Sequence, residues 1–321
     1  MTPSRLSSLL IAGAALFPLQ SHALNIVLSN DDGFTVNVQA MQTALEAAGH
    51  DVILSVPCYN QSGKGASINF LQPIGPLEGD CIGNAAPAGA PGVGEIAGLN
   101  NAFYVAGTPV MALLYGIDVQ AQAQWGQAPD LVISGPNEGQ NLGSITISSG
   151  TVSNAQYALS RGIPAIAVSA DGNTTDDEIL AAEAADLTLK LLDTLEQQSR
   201  DGELLPEGLA LNVNFPAFEA GESTALPWTL TRFGNFDSYK VYFAENLGDD
   251  PVASAYGISS DLPGISIAPN SIDAAEPGTD TSSEAYKVAE GHVTITPMEF
   301  GYETATGNAA PTRRLLKSLL D

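Results

Sequence analysis

The stretch LNIVLSNDDGF, residues 24–34, places two adjacent carboxylates behind a largely apolar run and follows them with a glycine. The run LNIVLS has the length and composition of a strand that is buried on both faces of a parallel sheet. Asn, Asp and Gly also form ordinary turns at strand ends, so Asp31 and Asp32 alone do not distinguish a turn from a functional site. The segments on either side decide between these two interpretations.

Strand-like and helix-like segments alternate along the chain after this first strand. Residues 36–50 carry apolar side chains at helical spacing, and residues 51–57 form a second apolar run that ends at a proline. Further predicted strands lie at 102–107, 130–135, 164–170 and 209–216, and further predicted helices at 108–119, 150–162 and 175–198. This order predicts an α/β fold, a doubly wound, Rossmann-like and mostly parallel sheet with helices on both faces. Residues 75–98, rich in Gly, Ala and Pro, are expected to form a long loop.

The sequence changes character after Pro227. Short strand-like segments at 228–234, 239–244 and 291–298 predict a C-terminal antiparallel β extension. Residues 271–285 are expected to form an exposed loop, and residues 311–320 a terminal helix. We therefore divide the chain into an α/β domain at 24–226 and a C-terminal extension of hairpin and helix at 227–321. The extension is expected to join subunits into a homodimer or homotetramer.

The first 23 residues have the pattern of a secretory signal peptide. Arg5 precedes an apolar core, and the residues SHA offer a cleavage site that ends at Ala23. A first core helix is the alternative, but Pro18 would interrupt it and a strand begins directly behind. We expect export to a bacterial periplasm with cleavage after Ala23, and no membrane span, because no later segment is long and apolar enough.

The charge balance limits the classes of partner. The chain carries 11 Lys and Arg residues against 36 Asp and Glu residues, a formal net charge of −25 at pH 7. Such a surface repels polyanions, so we expect no binding to nucleic-acid polymers. Of the three histidines, His22 lies in the signal segment, which leaves His50 and His292 and excludes chemistry that needs a histidine cluster.

The chain has two cysteines, Cys58 and Cys81. An even pair in an exported protein favours one disulfide, and two free buried thiols are the alternative.

Polar loops follow several strands of the predicted sheet. In an open parallel sheet, ligands bind beyond the carboxyl ends of the strands, so these loops share one edge. The residues that they bring to this edge are Asp31, Asp32, Ser62, Lys64, Asn137, Asn141, Ser148, Ser149, Gly150 and Thr151. Carboxylate, amide and hydroxyl oxygens are hard ligands that suit Mg²⁺ or Mn²⁺. A helix that begins Ser-Ser-Gly-Thr offers free N–H groups that suit a phosphate, although an ordinary N-cap has the same sequence. Lys64 is either a phosphate partner or a solvated loop cation.

These motifs resemble, in content and order, those of the SurE survival-protein family. The matching segments are LNIVLSNDDGF, NQSGKGAS, AGTPV, DLVISGPNEGQNLG, SSGTVSNAQYALSRGIPAIAVS and LNVNFP, within residues 24–216. The resemblance implies a divalent-metal-dependent phosphatase that acts on nucleoside 5′- and 3′-monophosphates and cleaves some polyphosphate. It places Asp31, Asp32, Ser62 and Asn137 on the metal ligands, with one Mg²⁺ or Mn²⁺ per subunit, and Asn141, Ser149, Gly150 and Thr151 on the phosphate contacts. Asp31, Asp32 and Asn137 are then the candidate catalytic residues.

The chain departs from the family pattern at several positions. Pro136 and Glu138 stand where apolar or small residues are more frequent, and Glu284 and His292 stand where Asp and Tyr are usual. Residues 234–278 do not align, so substrate selection is expected to differ there.

Other phosphatase designs lack their required residues. Cys58 precedes Lys64 rather than the arginine of a cysteine-phosphatase loop, the pair Asp31-Asp32 lacks the Asp-x-Asp spacing of haloacid-dehalogenase enzymes, and SGKG is not a complete P-loop. An exported protein that binds phosphate or nucleotides through a cation, without turnover, remains the alternative. Whether an Asp or an activated water attacks the phosphorus stays open.

Overall fold

The computed structural model describes residues 23–199, 203–234, 238–255, 257–269, 280–301, 311 and 313–320. Residues 1–22, the bulk of the predicted signal peptide, lie outside the described residues, as does 271–279 of the predicted exposed loop.

The described chain alternates strands and helices as the sequence predicts. The strands are β1 (Asn25–Ser29), β2 (Asp51–Pro57), β3 (Val93–Glu95), β4 (Ala102–Val105), β5 (Leu131–Glu138), β6 (Ala165–Ala170), β7 (Leu209–Asn214), β8 (Trp228–Leu230), β9 (Tyr239–Ala244), β10 (Gly264–Pro269) and β11 (Val293–Glu299). The helices are α1 (Val36–Ala47), α2 (Pro109–Tyr115), α3 (Gln122–Gln124), α4 (Gly150–Ser160), α5 (Glu178–Gln198), α6 (Pro251–Ala255), α7 (Glu284–Ala289) and α8 (Lys317–Leu320).

Nine strands form the main sheet in the order β3-β4-β2-β1-β5-β6-β7-β11-β8. The six strands from β4 to β7 in this order are parallel, whereas β3 and β11 run antiparallel to their neighbours β4 and β7. The chain winds outward from β1 in one direction through β2 and returns on its other side through β5. The crevice between the carboxyl ends of β1 and β5 is therefore the topological switch point, where ligands of such sheets bind.

Two hydrophobic cores lie on opposite faces of this sheet, because successive side chains of a strand point to opposite faces. In β1, Ile26 and Leu28 join the core that contains residues of α1 and α5, whereas Val27 joins the core that contains residues of α2 and α4. All three are fully buried, which explains why the strand shows no polar alternation. The predicted fold class, a parallel sheet with helices on both faces, is confirmed.

The C-terminal segment contributes to two sheets. Strand β11 pairs antiparallel with β7 and parallel with β8, so both extend the main sheet. Strands β9 and β10 form a separate antiparallel hairpin, as the predicted antiparallel extension requires. The division of the chain at 226/227 stays a prediction.

Two loop predictions are corrected. The segment 75–98 contains β3, which pairs antiparallel with β4 at the sheet edge. The predicted exposed loop 271–285 is wrong at its end, because Ser283 caps α7 and Glu284 is fully buried. A polar segment is buried here because its carboxylate finds hydrogen-bond donors that lie far away in the sequence.

A disulfide joins Cys58, which follows β2, to Cys81, with their Cα atoms 4.6 Å apart. The predicted bridge is confirmed. It links the two ends of the 58–81 segment covalently.

Candidate active site

The loop after β1 turns so that both carboxylates face inward at the switch point. The side chain of Asn30 closes the turn, because its Nδ2 donates to the Gly33 carbonyl at 2.7 Å and its Oδ1 accepts from the Gly33 N–H at 3.1 Å. Gly33 has a φ of +96°, which a residue with a Cβ adopts only with strain. Asp31 and Asp32 are consequently both buried rather than solvated, as a simple surface turn would leave them.

Asp31 packs against the first turn of α4. The Thr151 hydroxyl donates to Asp31 Oδ1 at 2.6 Å, and the Gly150 N–H donates to the same carboxylate. A Cβ at residue 150 would lie 2.6 Å from the Asp31 Cβ, so only glycine permits this approach. Burial and the neighbouring charge of Asp32 raise the pKa of Asp31 to about 7, although both donors favour its ionised form.

Asp32 receives donors from the loop after β2 and from the end of β5. The Asn60 amide and the Ser62 hydroxyl donate to its Oδ1 at 3.1 and 3.2 Å, and the Glu138 N–H donates to its Oδ2 at 3.1 Å. Burial raises the pKa of Asp32, although these three hydrogen bonds favour its ionised form and lower the pKa. Two adjacent buried carboxylates without a basic partner are costly, and a bound cation would relieve that cost.

Asn137 supplies a neutral oxygen at the same edge. Its amide Nδ2 donates to the Gly139 carbonyl at 2.8 Å, whereas its Oδ1 is buried and has no hydrogen-bond partner in the described part of the chain. A buried oxygen without a donor suits a metal ligand. Among the described residues, no group of three or more His, Cys, Asp or Glu side chains could hold a metal ion. Two carboxylates with amide and hydroxyl oxygens nevertheless fit a hard divalent cation.

The helix start is tightly organised. The Ser149 side chain caps α4 by accepting from the Val152 N–H at 3.1 Å, and Thr151 is fully buried. The sequence assigned both residues to phosphate, but in the structure each hydroxyl already has an intramolecular partner. The Ser149 N–H also donates to the Thr146 carbonyl at 3.3 Å, so the Thr151 N–H is the backbone donor of this pair that suits an anion.

Asn141 and Lys64 lie in different surroundings from the Asp pair. Asn141 is buried in a polar network, where its Nδ2 donates to Ser169 Oγ at 2.9 Å and its N–H donates to Asn214 Oδ1 at 2.8 Å. Lys64 is exposed on a loop that is held at the start of α4 by the hydrogen bond from the Gly65 N–H to the Ser148 carbonyl, 2.9 Å. The assignment of all these residues to metal and phosphate binding stays a prediction.

Two asparagines that organise this site were not among the residues predicted from the sequence. Asn60 donates to Asp32, and the amide of Asn154 lies 3.2 Å from Ser134 Oγ and 3.4 Å from the Asn30 carbonyl. Asn60 lies in the polar loop after β2 that had already drawn attention to Ser62. Asn154 gave no such signal because it lies inside α4.

Glu138 adds a third carboxylate beside the pair. Burial, with the charges of Asp32 and Asp176, raises its pKa to about 7.

A doubly wound sheet that carries buried carboxylates and a facing helix N-terminus at its switch point defines an α/β enzyme with its site at the carboxyl edge. More particularly, the chain belongs to the SurE family, because the family model described as Survival protein SurE matches residues 26–238.

Individual relatives agree with this membership. The 5′-nucleotidase SurE of Gloeobacter violaceus is 31% identical over 287 residues, which cover 88% of this chain and 94% of that protein. An acid phosphatase of Yarrowia lipolytica is 31% identical over 212 residues, 62% of this chain and 58% of that protein. The crystal structure of the SurE protein from Aquifex aeolicus has a TM-score of 0.65 and 27% sequence identity, with 91% of this chain and 99% of that chain covered. The predicted family resemblance is confirmed.

No helix among the described residues is long and apolar enough to cross a membrane.

Proposed function

We propose that this protein hydrolyses nucleoside 5′- and 3′-monophosphates, and also short polyphosphates, with one Mg²⁺ or Mn²⁺ per subunit. The chain is an enzyme of the nucleotidase and phosphatase class, as its family membership establishes. The observation that carries the finer proposal is the contact between the buried Asp pair and the first turn of α4, through Thr151 and Gly150. This contact joins a cation site to an anion site.

Four side chains would hold the cation. Asp31 and Asp32 supply charge, Asn137 supplies its unpartnered Oδ1, and the Ser62 hydroxyl already lies 3.2 Å from Asp32 Oδ1. A divalent cation bound there would polarise a phosphoryl oxygen of the substrate. The ion would also favour the ionised forms of both aspartates, which burial alone disfavours.

The start of α4 would hold the phosphate group. The N-terminus of a helix carries a partial positive charge, which would attract a phosphate without any basic side chain. At α4 the Gly150 and Val152 N–H groups already donate to Asp31 and Ser149, so the Thr151 N–H would donate to a phosphate oxygen. This matters because the loops at this edge offer a single basic residue, Lys64. The same N–H group and the helix dipole would stabilise the charge that develops on the phosphoryl oxygens during the reaction.

Two routes for the attack use the same residues. In the first, an aspartate of the pair attacks the phosphorus and forms a phosphoaspartate, which water then hydrolyses. In the second, an aspartate accepts a proton from the water that attacks directly. Rapid acid quench of a reaction with a mononucleotide that carries ³²P in its phosphate separates them, since only the first route attaches the labelled phosphoryl group to the protein.

The test of the proposed function is phosphate release from purified protein. We expect release from 5′- and 3′-mononucleotides, loss of release after EDTA treatment, and recovery on addition of Mn²⁺ or Mg²⁺. Polyphosphate and sugar phosphates, assayed in parallel, define the substrate range. Metal-dependent nucleotide binding without any phosphate release would instead identify the non-catalytic binding protein.

We also propose that the protein is exported to the periplasm and cleaved after Ala23. The disulfide supports an oxidising compartment. Strand β1 begins at Asn25, two residues after the proposed cleavage position, and the preceding Leu24 N–H donates to His50 Nδ1 at 3.2 Å. Intact-mass measurement on protein recovered from the periplasm should give a chain that begins at Leu24; a chain that retains residues 1–23 would contradict cleavage.

The β9–β10 hairpin supports assembly into a homodimer or homotetramer. One face of the hairpin is covered by its own loop, where Asp250 accepts from Tyr242 and Ser266. On the other face, Val241 and the cross-strand pair Phe243 and Ile265 are 50%, 68% and 63% exposed. An isolated two-stranded hairpin is marginally stable in water, and an exposed apolar face of this kind is typical of an interface. We propose that a second copy of the chain covers this face.

A further inference from the structure

Glu284 is a buried carboxylate that the proposed reaction does not use. It lies in the first turn of α7 and is 0% exposed. Its Oε1 accepts from the Gly143 N–H at 2.8 Å, and its Oε2 accepts from Asn212 Nδ2 at 3.0 Å and from Thr296 Oγ1 at 2.8 Å. These three partners are neutral. The carboxylate therefore joins the loop after β5 to the sheet extension without an ion pair.

The same hydrogen bonds reach a candidate phosphate residue. Asn212 Nδ2 also donates to the Asn141 carbonyl at 3.0 Å, and Asn214 Nδ2 donates to this carbonyl at 3.2 Å. Asn141 lies two residues before Gly143, so Glu284 and the two asparagines hold the backbone of this loop at two neighbouring points. The loop then continues through the short helix Gly143–Ile147 to the N-terminus of α4.

We propose that Glu284 is a positioning residue for substrate binding. It acts through the 141–148 segment, which it holds so that Asn141 and the start of α4 face the phosphate together. The inference rests on the proposed function, because it needs a phosphate at this edge. It assigns to the C-terminal segment a part in the active site, since α7 supplies the carboxylate that organises a loop near the switch point.

Burying the Glu284 carboxylate costs desolvation free energy, which the hydrogen bonds that it accepts must offset. Burial raises the pKa of Glu284 to about 7, against the three hydrogen bonds that favour its ionised form. A polar side chain kept in such a place satisfies donors that would otherwise be buried without a partner. The Glu284 carboxylate accepts from the Gly143 N–H and from two side chains. A shorter side chain moves these acceptors away, and a Gln amide replaces one acceptor oxygen with a donor, so either change weakens the hold on this loop.

The experiment compares Glu284→Gln and Glu284→Asp with a matched control, Thr229→Val. The Thr229 hydroxyl lies 2.6 Å from His292 Nδ1 and stabilises the same sheet extension, but it does not contact the 141–148 segment. The control therefore reports a general loosening of the extension. Glu284→Asp keeps the charge but is one methylene shorter, and it serves if the Gln variant does not fold.

Two readouts are measured on each protein. Hydrogen–deuterium exchange of the peptide that covers residues 141–148 should become faster in both Glu284 variants and stay unchanged in Thr229→Val. With Mg²⁺ and a mononucleotide, KM and the inhibition constant of inorganic phosphate should rise about tenfold in the Glu284 variants, as expected for loss of one hydrogen bond to a charged group. Metal affinity without substrate should not change.

The outcomes separate the two proposals. If the wild-type protein releases no phosphate from any mononucleotide, the proposed function is wrong, and the inference falls with it. If the wild type is active but exchange of the 141–148 peptide and KM match the wild type in both Glu284 variants, the inference is wrong and the proposed function stands. Equal effects of Thr229→Val and the Glu284 variants would also overturn it, because the extension would then act only through its stability.

Discussion

At the scale of single residues, Asp31 unites the two halves of the proposed site. Its carboxylate faces the proposed cation and accepts hydrogen bonds from the first turn of α4. It is buried, and a buried carboxylate without a cationic partner destabilises the fold. Its presence is therefore explained by function rather than by stability.

Asp31→Asn tests this explanation. The amide keeps an oxygen for Thr151 and removes the buried charge, so the free energy of unfolding should stay equal or rise. Phosphate release should fall by at least about a hundredfold, because the cation's stabilisation of the transition state is worth several kcal/mol. Asp118→Asn is the control, since Asp118 pairs with Arg161 on the surface. Calorimetric Mn²⁺ titration, thermal unfolding and phosphate-release kinetics check these results. Normal turnover by Asp31→Asn at limiting metal would contradict the assignment of Asp31 as a ligand of the cation.

The Thr151 hydroxyl contacts Asp31 in the structure, whereas the sequence assigned this residue to the phosphate. This hydrogen bond is 2.6 Å long and lowers the pKa of the Asp31 carboxyl, which is a candidate metal ligand. We expect Thr151→Val to weaken Mn²⁺ binding and kcat/KM together, by roughly tenfold to a hundredfold, since a hydrogen bond to a charged group contributes about 1.5–3 kcal/mol.

Thr151→Ser is the matched control, because it keeps the hydroxyl, and it should restore Mn²⁺ affinity. A Thr151→Val protein that binds Mn²⁺ normally but has lost activity would show that the hydroxyl contacts the phosphate, as the sequence alone predicted.

At the scale of elements, α7 and β11 bring a titratable group into the sheet extension. The pKa of Glu284 is raised to about 7, from 4.5 for an unperturbed glutamate. A raised carboxyl pKa means that the folded state binds the proton more tightly than the unfolded chain. The associated stability is fully present below pH 4.5 and is lost as the pH rises through 7.

The wild-type protein should therefore lose stability relative to Glu284→Gln between about pH 4.5 and pH 7. The difference in the free energy of unfolding should change by on the order of 3 kcal/mol over this range, at 1.36 kcal/mol per pKa unit. Urea unfolding of both proteins at several pH values measures it. If the free energies of unfolding of the two proteins change in parallel with pH across this range, Glu284 is ionised in the folded protein throughout.

The segment between Cys58 and Cys81 is the second element with a separable contribution. Its bridge closes a loop with a sequence separation of 23 residues beside the Asp32 site. Closing a loop of this length stabilises the folded state by roughly 3 kcal/mol in the chain-entropy model. The double variant Cys58→Ala, Cys81→Ala should be destabilised by about this amount in urea unfolding.

Reduction of the wild-type protein should reproduce the effect of the double variant, and the reductant should leave the double variant itself unchanged. Two free thiols in unfolded, unreduced protein would rule out the bridge.

At the scale of the whole molecule, the acidic surface disfavours association of two copies of the chain, whereas the apolar hairpin face favours it. A net charge of −25 disfavours close approach of two copies, so an assembly needs apolar area to offset the repulsion. The face formed by Val241, Phe243 and Ile265 offers such area.

Phe243→Ser should therefore shift the protein toward the monomer, as measured by light scattering after size exclusion. Lys240→Ser on the same strand is the control and should leave the molar mass unchanged. Because low salt strengthens repulsion between the subunits, the variant should dissociate most at low ionic strength. A wild-type protein that is monomeric at all concentrations would contradict the proposed interface.

The sequence by itself determined the features that depend on short stretches. Each strand and helix around β1 follows from local apolar periodicity, and the parallel sheet follows from their alternation. The carboxyl ends of the predicted strands then place Asp31, Asp32 and Asn137 at one edge, and two cysteines allow a single pairing. These inferences needed no side-chain coordinates, because they depend on local periodicity and on the alternation of strands and helices.

Only the tertiary structure decided which side chains touch. Thr151 donates to Asp31 across 120 residues, and Gly143 donates to Glu284 across 141 residues. Glu284 read as part of an exposed loop because its neighbours in the sequence are polar. It is buried because Gly143, Asn212 and Thr296, from three separate segments, supply its donors. Burial of a polar group depends on partners that the fold brings together, and a sequence pattern records only what lies within a few residues.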